Sequence, residues 1–163
     1  MDSVEARERT RVLTDEASWA LRDVTRAAVD VDYALARHMG LRPMDYTALS
    51  HVFTGNGTLT PRRLSDHLGI STGSTSGLLD RLEQAGHLHR RRDGTDRRQV
   101  NLEPSERSVT DVITALSPLF AALEEMADRY TVAERETIAD YLRRTAELMR
   151  TYAEDIQGFT SPG

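Results

Sequence analysis

Between Thr60 and Glu103 the chain carries three short elements in an order that few folds accommodate. Thr60-Pro61-Arg62-Arg63-Leu64-Ser65-Asp66-His67-Leu68-Gly69 predicts a short helix, with Thr60 able to cap it and Pro61 in its first turn. Ile70 leads into a second helix from Ser71 to Gly86, with Ser71 as cap and Gly86 as stop. His87 to Arg92, a turn at Asp93-Gly94 and a return strand from about Arg97 to Leu102 then predict a β-hairpin. Helix, short turn, helix and basic hairpin together describe a winged helix-turn-helix. Such a unit sets one helix in a DNA major groove and lays the hairpin on the neighbouring backbone or minor groove.

Long helices flank this unit, so the expected fold class is mainly α with a small β-hairpin wing (α+β). An amphipathic pattern runs from about Ala6 to Met39, with Leu13, Ala17, Leu21, Val24, Ala28, Val31 and Leu35 on one stripe. A second helix begins near Pro43, carries Tyr46, Leu49, Val52 and Phe53, and breaks at Gly55-Asn56-Gly57. After the hairpin, Ser105 to about Arg129 reads as helix, with Pro118 as a kink or restart. Thr131-Val132-Ala133-Glu134 has capping-box spacing, and a last helix carries Ile138, Leu142, Leu148, Met149, Tyr152 and Ile156. The expected organisation is one domain over residues 1–163. A winged lobe occupies about 41–103, dimerisation helices about 6–39 and 105–157, and a frayed tail 158–163.

A helix of roughly 30 residues reaches about 45 Å, longer than a lobe this small is wide. Its apolar stripe therefore needs a partner, and a second copy of the chain is the simplest one. An intramolecular helical bundle is the alternative. The longest apolar runs are only a few residues, so neither a transmembrane span nor a signal peptide is expected, and a cytoplasmic protein follows. The absence of cysteine excludes disulfides, thiolate metal sites and a cysteine-oxidation switch.

The formal net charge of −5 argues at first against a nucleic-acid partner, but its distribution reverses that reading. From Pro61 to Val100 eight arginines face five acids, a local charge of +3, which leaves −8 on the rest of the chain. Five of those arginines, Arg90, Arg91, Arg92, Arg97 and Arg98, fall in the hairpin. Arginines also guard exposed strand edges; behind a helix-turn-helix, DNA contact is the better reading.

The blocks Leu68-Gly69-Ile70-Ser71-Thr72-Gly73, Leu79-Asp80-Arg81-Leu82-Glu83-Gln84-Ala85-Gly86-His87 and Asp96-Arg97-Arg98 closely resemble the MarR (multiple-antibiotic-resistance regulator) family of bacterial transcription factors. The spacing of the blocks and the flanking helices extend the resemblance over most of the chain. It implies a two-fold homodimer in which N- and C-terminal helices interlock above two winged lobes. It also implies a repressor on palindromic double-stranded DNA, with a small aromatic or phenolic effector bound between the dimer helices and each lobe. Candidate lining residues are Trp19, Tyr33, His38, Met39, Tyr46 and Phe120, although each also suits an ordinary core position. In the wing, the Asp-x-Arg motif gives Arg98 a reach into the minor groove and Asp96 the task of fixing the tip. A plain turn aspartate is the alternative for Asp96.

On a helical wheel Thr75, Leu78, Leu79 and Leu82 face inward. Gly73, Ser76, Gly77, Asp80 and Gln84 face outward, flanked by Thr72, Ser74 and Arg81. Two outward glycines each cost about 1 kcal/mol relative to alanine. Close approach to DNA is one compensation; simple tolerance of small residues at a helix start is the other. Many family members carry basic residues at the positions of Thr72 and Gly77, so phosphate anchoring from this helix is expected to be weak. Arg62 and Arg63, at the start of the preceding helix, are placed for phosphates. With Arg91 and Arg97 in the wing, these residues complete the expected DNA contacts.

His87 and His89 could share a strand face with a metal, but two histidines are half a zinc site and no other ligand completes it. No cofactor is implied. No nucleophile–base pair, phosphate loop or carboxylate pair stands at usable spacing, so an enzyme is not expected. The remaining alternative is a winged helix that serves only as a protein–protein interaction module.

Overall fold

The computed structural model describes residues 15–92 and 100–159. Among these are six helices and one hairpin: α1 (Glu16–His38), α2 (Pro43–Thr54), α3 (Pro61–Leu68), α4 (Thr72–Gln84), β1 (Leu88–Arg92), β2 (Val100–Pro104), α5 (Glu106–Ala127) and α6 (Val132–Phe159). The chain divides into two units, one ending at Ala115 and the other beginning at Leu116, with α5 crossing the boundary.

In the first unit, local signals set the helix ends. Pro43 and Pro61 occupy first-turn positions of α2 and α3, where a missing N–H costs nothing. Thr60 Oγ1 accepts the Arg63 N–H at 3.3 Å, and Ser71 Oγ accepts that of Ser74 at 3.2 Å. Gly69, at φ 63°, turns the chain out of α3 in the left-handed conformation. Ser65 Oγ donates to the Ile70 carbonyl at 2.6 Å and fixes the turn between α3 and α4.

The core of this lobe is a cluster of Ala48, Leu49, Val52, Leu59, Leu64, Leu78, Leu79, Leu82, Leu88 and Leu102. The four residues assigned to the inner face of α4, Thr75, Leu78, Leu79 and Leu82, are all buried. β1 and β2 pair antiparallel with Leu88 opposite Pro104, Arg90 opposite Leu102 and Arg92 opposite Val100. Strand alternation therefore puts Leu88, Arg90 and Leu102 on one face, His89, Arg91, Asn101 and Glu103 on the other. The Leu102 N–H donates to the Leu59 carbonyl at 2.8 Å and ties the hairpin to the α2–α3 loop.

The second unit holds the C-terminal part of α5 and all of α6. The junction is the expected capping box: the Thr131 N–H donates to Glu134 Oε2 at 2.8 Å, and Glu134 N–H to Thr131 Oγ1 at 3.3 Å. None of its described residues is buried.

Several boundaries differ from the sequence reading. α5 runs through Pro118 without a restart, since proline removes one donor while the bonds on either side of it continue the helix. α6 extends past Gly158 to Phe159, because one glycine costs too little to end so long a helix, so the expected fraying does not begin there. β2 continues to Pro104, two residues beyond Leu102. The first turns expected of α1, before Asp15, the Asp93-Gly94 turn and residues 97–99 of the return strand lie outside the described residues.

Candidate nucleic-acid interface

The outward face of α4 is made of small side chains. Thr72, Gly73, Ser74 and Ser76 are exposed, and Gly77 is half-buried. A Cβ placed on Gly73 would meet nothing closer than Ser71 Oγ at 4.0 Å, and one on Gly77 nothing closer than an Arg81 guanidinium nitrogen at 4.0 Å. The chain itself therefore has no need of glycine at either position.

Behind this face, ion pairs hold the helix. Arg81 Nη2 donates to Asp45 Oδ1 at 2.7 Å and Arg81 Nε to Asp45 Oδ2 at 3.2 Å, a two-pronged bond from α4 to α2. Arg81 Nη1 also donates to the Gly77 carbonyl at 3.2 Å. Asp45 is only 5% exposed, and among the described residues Arg81 is its ion-pair partner. The bond to Asp45 pushes the Arg81 pKa above its ordinary value. Arg81, expected to flank the DNA face, is thus committed to Asp45.

Arg90 is similarly committed. Its guanidinium lies 2.6 Å from Glu83 Oε2 and 2.8 Å from Asp80 Oδ1, and its N–H donates to Glu83 Oε1 at 3.1 Å. The Arg90 backbone N–H, more than its guanidinium, holds the Glu83 carboxyl below the usual range. One of the five hairpin arginines therefore fastens β1 to α4. Arg91, on the opposite strand face, is mostly exposed and reaches Glu103 at 3.3 Å. Arg92 is exposed. Asp96, Arg97 and Arg98 lie outside the described residues.

Arg62 and Arg63 are exposed in the first turn of α3 and make no ion pair with another described residue. The structure thus brings Arg62, Arg63, Thr72, Gly73, Ser74, Ser76, Gly77 and Arg91 into one lobe, with their outward atoms free of its core. Sequence reasoning missed Asp45, Asp80 and Glu83 as the acids that aim this surface. Asp45 gave no signal, because an acid in a first helical turn looks like ordinary dipole compensation.

Among the effector candidates, Tyr33 and Tyr46 come together in a pocket of about 360 Å³ with Val29, Asp32, Pro43, Met44 and Thr47. Burial, and then the charge of Asp32, pushes the Tyr46 pKa up; burial raises that of Asp32. Met39 packs against the lobe core, as an ordinary core residue would. Trp19 is exposed, with the Arg22 guanidinium 5.6 Å from its ring centroid, and His38 is exposed in the last turn of α1. Phe120 is exposed in the second unit.

His87 Nδ1 lies 2.8 Å from Ser108 Oγ and pins the start of the hairpin to α5. Burial, reinforced by the charge of Arg107, holds the His87 imidazole below its usual range. No three histidine or acidic side chains among the described residues converge as a metal site. No helix among them is long and apolar enough to cross a membrane.

Comparison with known proteins places this geometry. A sequence profile of the MarR family matches residues 39–99. An uncharacterised transcriptional regulator of the helix-turn-helix type, YcgE of Bacillus subtilis (strain 168), is 32% identical over 124 residues, 76% of this chain and 80% of that protein. A MarR protein from Peptoclostridium difficile shares the fold at 18% identity and a TM-score of 0.60, covering 90% of this chain and 95% of its own. The S. aureus MepR–DNA complex does so at 16% identity and 0.52, covering 81% and 98%. A buried-core winged lobe, its outward α4 face and this likeness across four-fifths of a relative lead to one conclusion: the chain belongs to the MarR family and is a transcriptional regulator, not an enzyme.

Proposed function

We propose that the chain acts as a homodimeric repressor on a palindromic operator. The carrying observation is the outer face of α4: small, exposed, and held from behind by Arg81–Asp45 and Arg90–Asp80/Glu83. Spending the two arginines on acids inside the lobe keeps the helix rigid and leaves its groove-facing side uncluttered. Thr72, Gly73, Ser74, Ser76 and Gly77 would lie in the major groove, Arg62 and Arg63 on phosphates, and Arg91, Arg97 and Arg98 along the wing. A protein of the same fold solved with DNA, MepR, supports this placement. The exposed apolar residues of α1 and α6 support dimerisation through the terminal helices.

The pocket at Tyr33 and Tyr46 is the effector site in this reading. Among the described residues Asp32 is its only charged lining residue, which favours an uncharged or cationic aromatic ring. Effector would hold the two lobes at a spacing that misfits the half-sites.

Fluorescence anisotropy on duplexes from the regulator's own upstream region tests the DNA reading. Binding should require two half-sites with centres about one helical turn, ~10 bp, apart. Log K should fall with log salt by about 0.9 for each phosphate neutralised. Equal affinity for single half-sites, or a flat salt response, would favour a protein–protein module.

A further inference from the structure

A second polar pocket lies in the same lobe. It has a volume of about 530 Å³ and is lined by the C-terminal turn of α2, the α2–α3 loop and one side of α3. His51 of α2 and His67 of α3 stack there, with ring centroids 5.2 Å apart and planes 5° from parallel. Arg63, one helical turn before His67, lines the same space, with Thr54, Asn56 and Thr58 supplying further polar groups.

No carboxylate of the described residues lines this pocket. The acids nearby point to other tasks or to solvent: Glu103, beside Gly57, pairs with Arg91, and Asp66 of α3 is exposed. Three nitrogen-bearing side chains that can each carry positive charge therefore converge without an internal counter-charge. Two parallel imidazoles cannot both be protonated cheaply at this distance. The His51 imidazole is accordingly held below its usual range, first by burial and then by the charge of His67. What the cluster lacks is an anion.

We propose that this pocket binds a tetrahedral oxyanion, a phosphate group or its analogue, held by Arg63 and the His51–His67 pair. Arg63 supplies the permanent charge, and the imidazoles supply N–H donors that become stronger on protonation. The anion lowers the repulsion between the stacked rings, so binding takes up a proton. Affinity consequently rises as pH falls through the histidine range and levels off once the pair is protonated in the free protein. The site shares Arg63 with the operator reading, but the His51–His67 pair and its response to sulfate do not rest on it. The phosphate comes either from a free metabolite or from a DNA backbone.

Sulfate is the probe, because its charge is constant across the range where histidine titrates. The full chain is titrated with sodium sulfate at ionic strength balanced with chloride, and the side-chain imidazole resonances are followed by NMR. Saturable shifts at both His51 and His67 are expected, with affinity at least about fivefold tighter near pH 6 than near pH 8. His67→Gln, at an exposed position, and Arg63→Gln should each weaken binding at least about fivefold. Binding that is unchanged in both variants, or independent of pH, overturns the proposal. A duplex-binding series then separates the sources. If sulfate competes with DNA and His67→Gln abolishes a low-pH gain in DNA affinity, the phosphate is the backbone's. If His67→Gln binds DNA as the parent does, a free phosphate compound is the ligand.

Discussion

The winged lobe and the terminal helices use apolar side chains in opposite ways. In the lobe, ten apolar residues from α2, α3, α4, the hairpin and one loop close on each other and exclude water. In α6, 28 residues long, none of the described side chains is buried, and Leu148, Met149, Tyr152 and Ile156 stand in solvent. α1 lies between these extremes: Leu35 and Ala36 near its C-terminus are buried, while Trp19, Val24, Val29 and Tyr33 are exposed. A single chain therefore completes its lobe but not its helices. Exposed apolar surface on this scale marks a contact with another molecule, and the proposed two-fold dimer would cover it.

Core truncation should break that contrast most strongly. Leu79→Ala, at a fully buried position, is expected to destabilise the protein by about 2–5 kcal/mol. Leu148→Ala, at a position 70% exposed in the single chain, should leave lobe stability unchanged and make the melting temperature more dependent on protein concentration. Thermal melts at two concentrations check both. A large concentration-independent loss from Leu148→Ala would show that α6 is covered within one chain.

Next comes the clamp behind α4. Asp45→Ala removes both hydrogen bonds that Arg81 makes to α2 and should cost about 1.5–3 kcal/mol. Arg81 is partly exposed and regains water, which keeps the loss below that of a fully buried pair. DNA affinity should fall as well, because the helix loses its anchor without losing any outward atom. Parent-like affinity in Asp45→Ala would mean that the core alone aims α4.

The wing sets a smaller difference and a sharper sign. Arg98→Ala should weaken operator binding by about 1–3 kcal/mol with a reduced salt slope. Asp96→Ala should weaken it too, although it removes a negative charge, because an unfixed wing tip cannot aim its arginine. Simple charge counting gives the opposite sign. Equal or tighter binding by Asp96→Ala would reduce the wing to a diffuse cationic patch.

Gly73→Ala should show the smallest change in the free protein and the most informative direction. With open space where the Cβ would sit, it should stabilise the free protein by about 0.5–1 kcal/mol. The same methyl group should weaken operator binding if the backbone approaches DNA there. Gains in both stability and affinity would identify Gly73 as merely tolerated.

Much of the lobe was legible because its signals are local. Thr60, Pro61, Ser71, Gly69 and Gly86 fix helix ends within a few residues of themselves, and the spacing of Thr75, Leu78, Leu79 and Leu82 fixes the buried side of α4. The Asp45–Arg81 bond spans 36 residues, and no local pattern marks it. The division between Arg90 and Arg91 was accessible in principle, since neighbours on a strand face opposite ways. Counting five hairpin arginines as one patch overlooked it. Pro118 does not restart α5 and Gly158 does not end α6, because each is a breaker only on average and long helices absorb one such residue.

Sedimentation velocity on the full chain at micromolar concentration tests the contrast between lobe and helices most directly. A species of twice the 18.3 kDa chain mass, dissociating only together with loss of helix signal, is the predicted result. A compact, fully helical monomer of 18.3 kDa would contradict it.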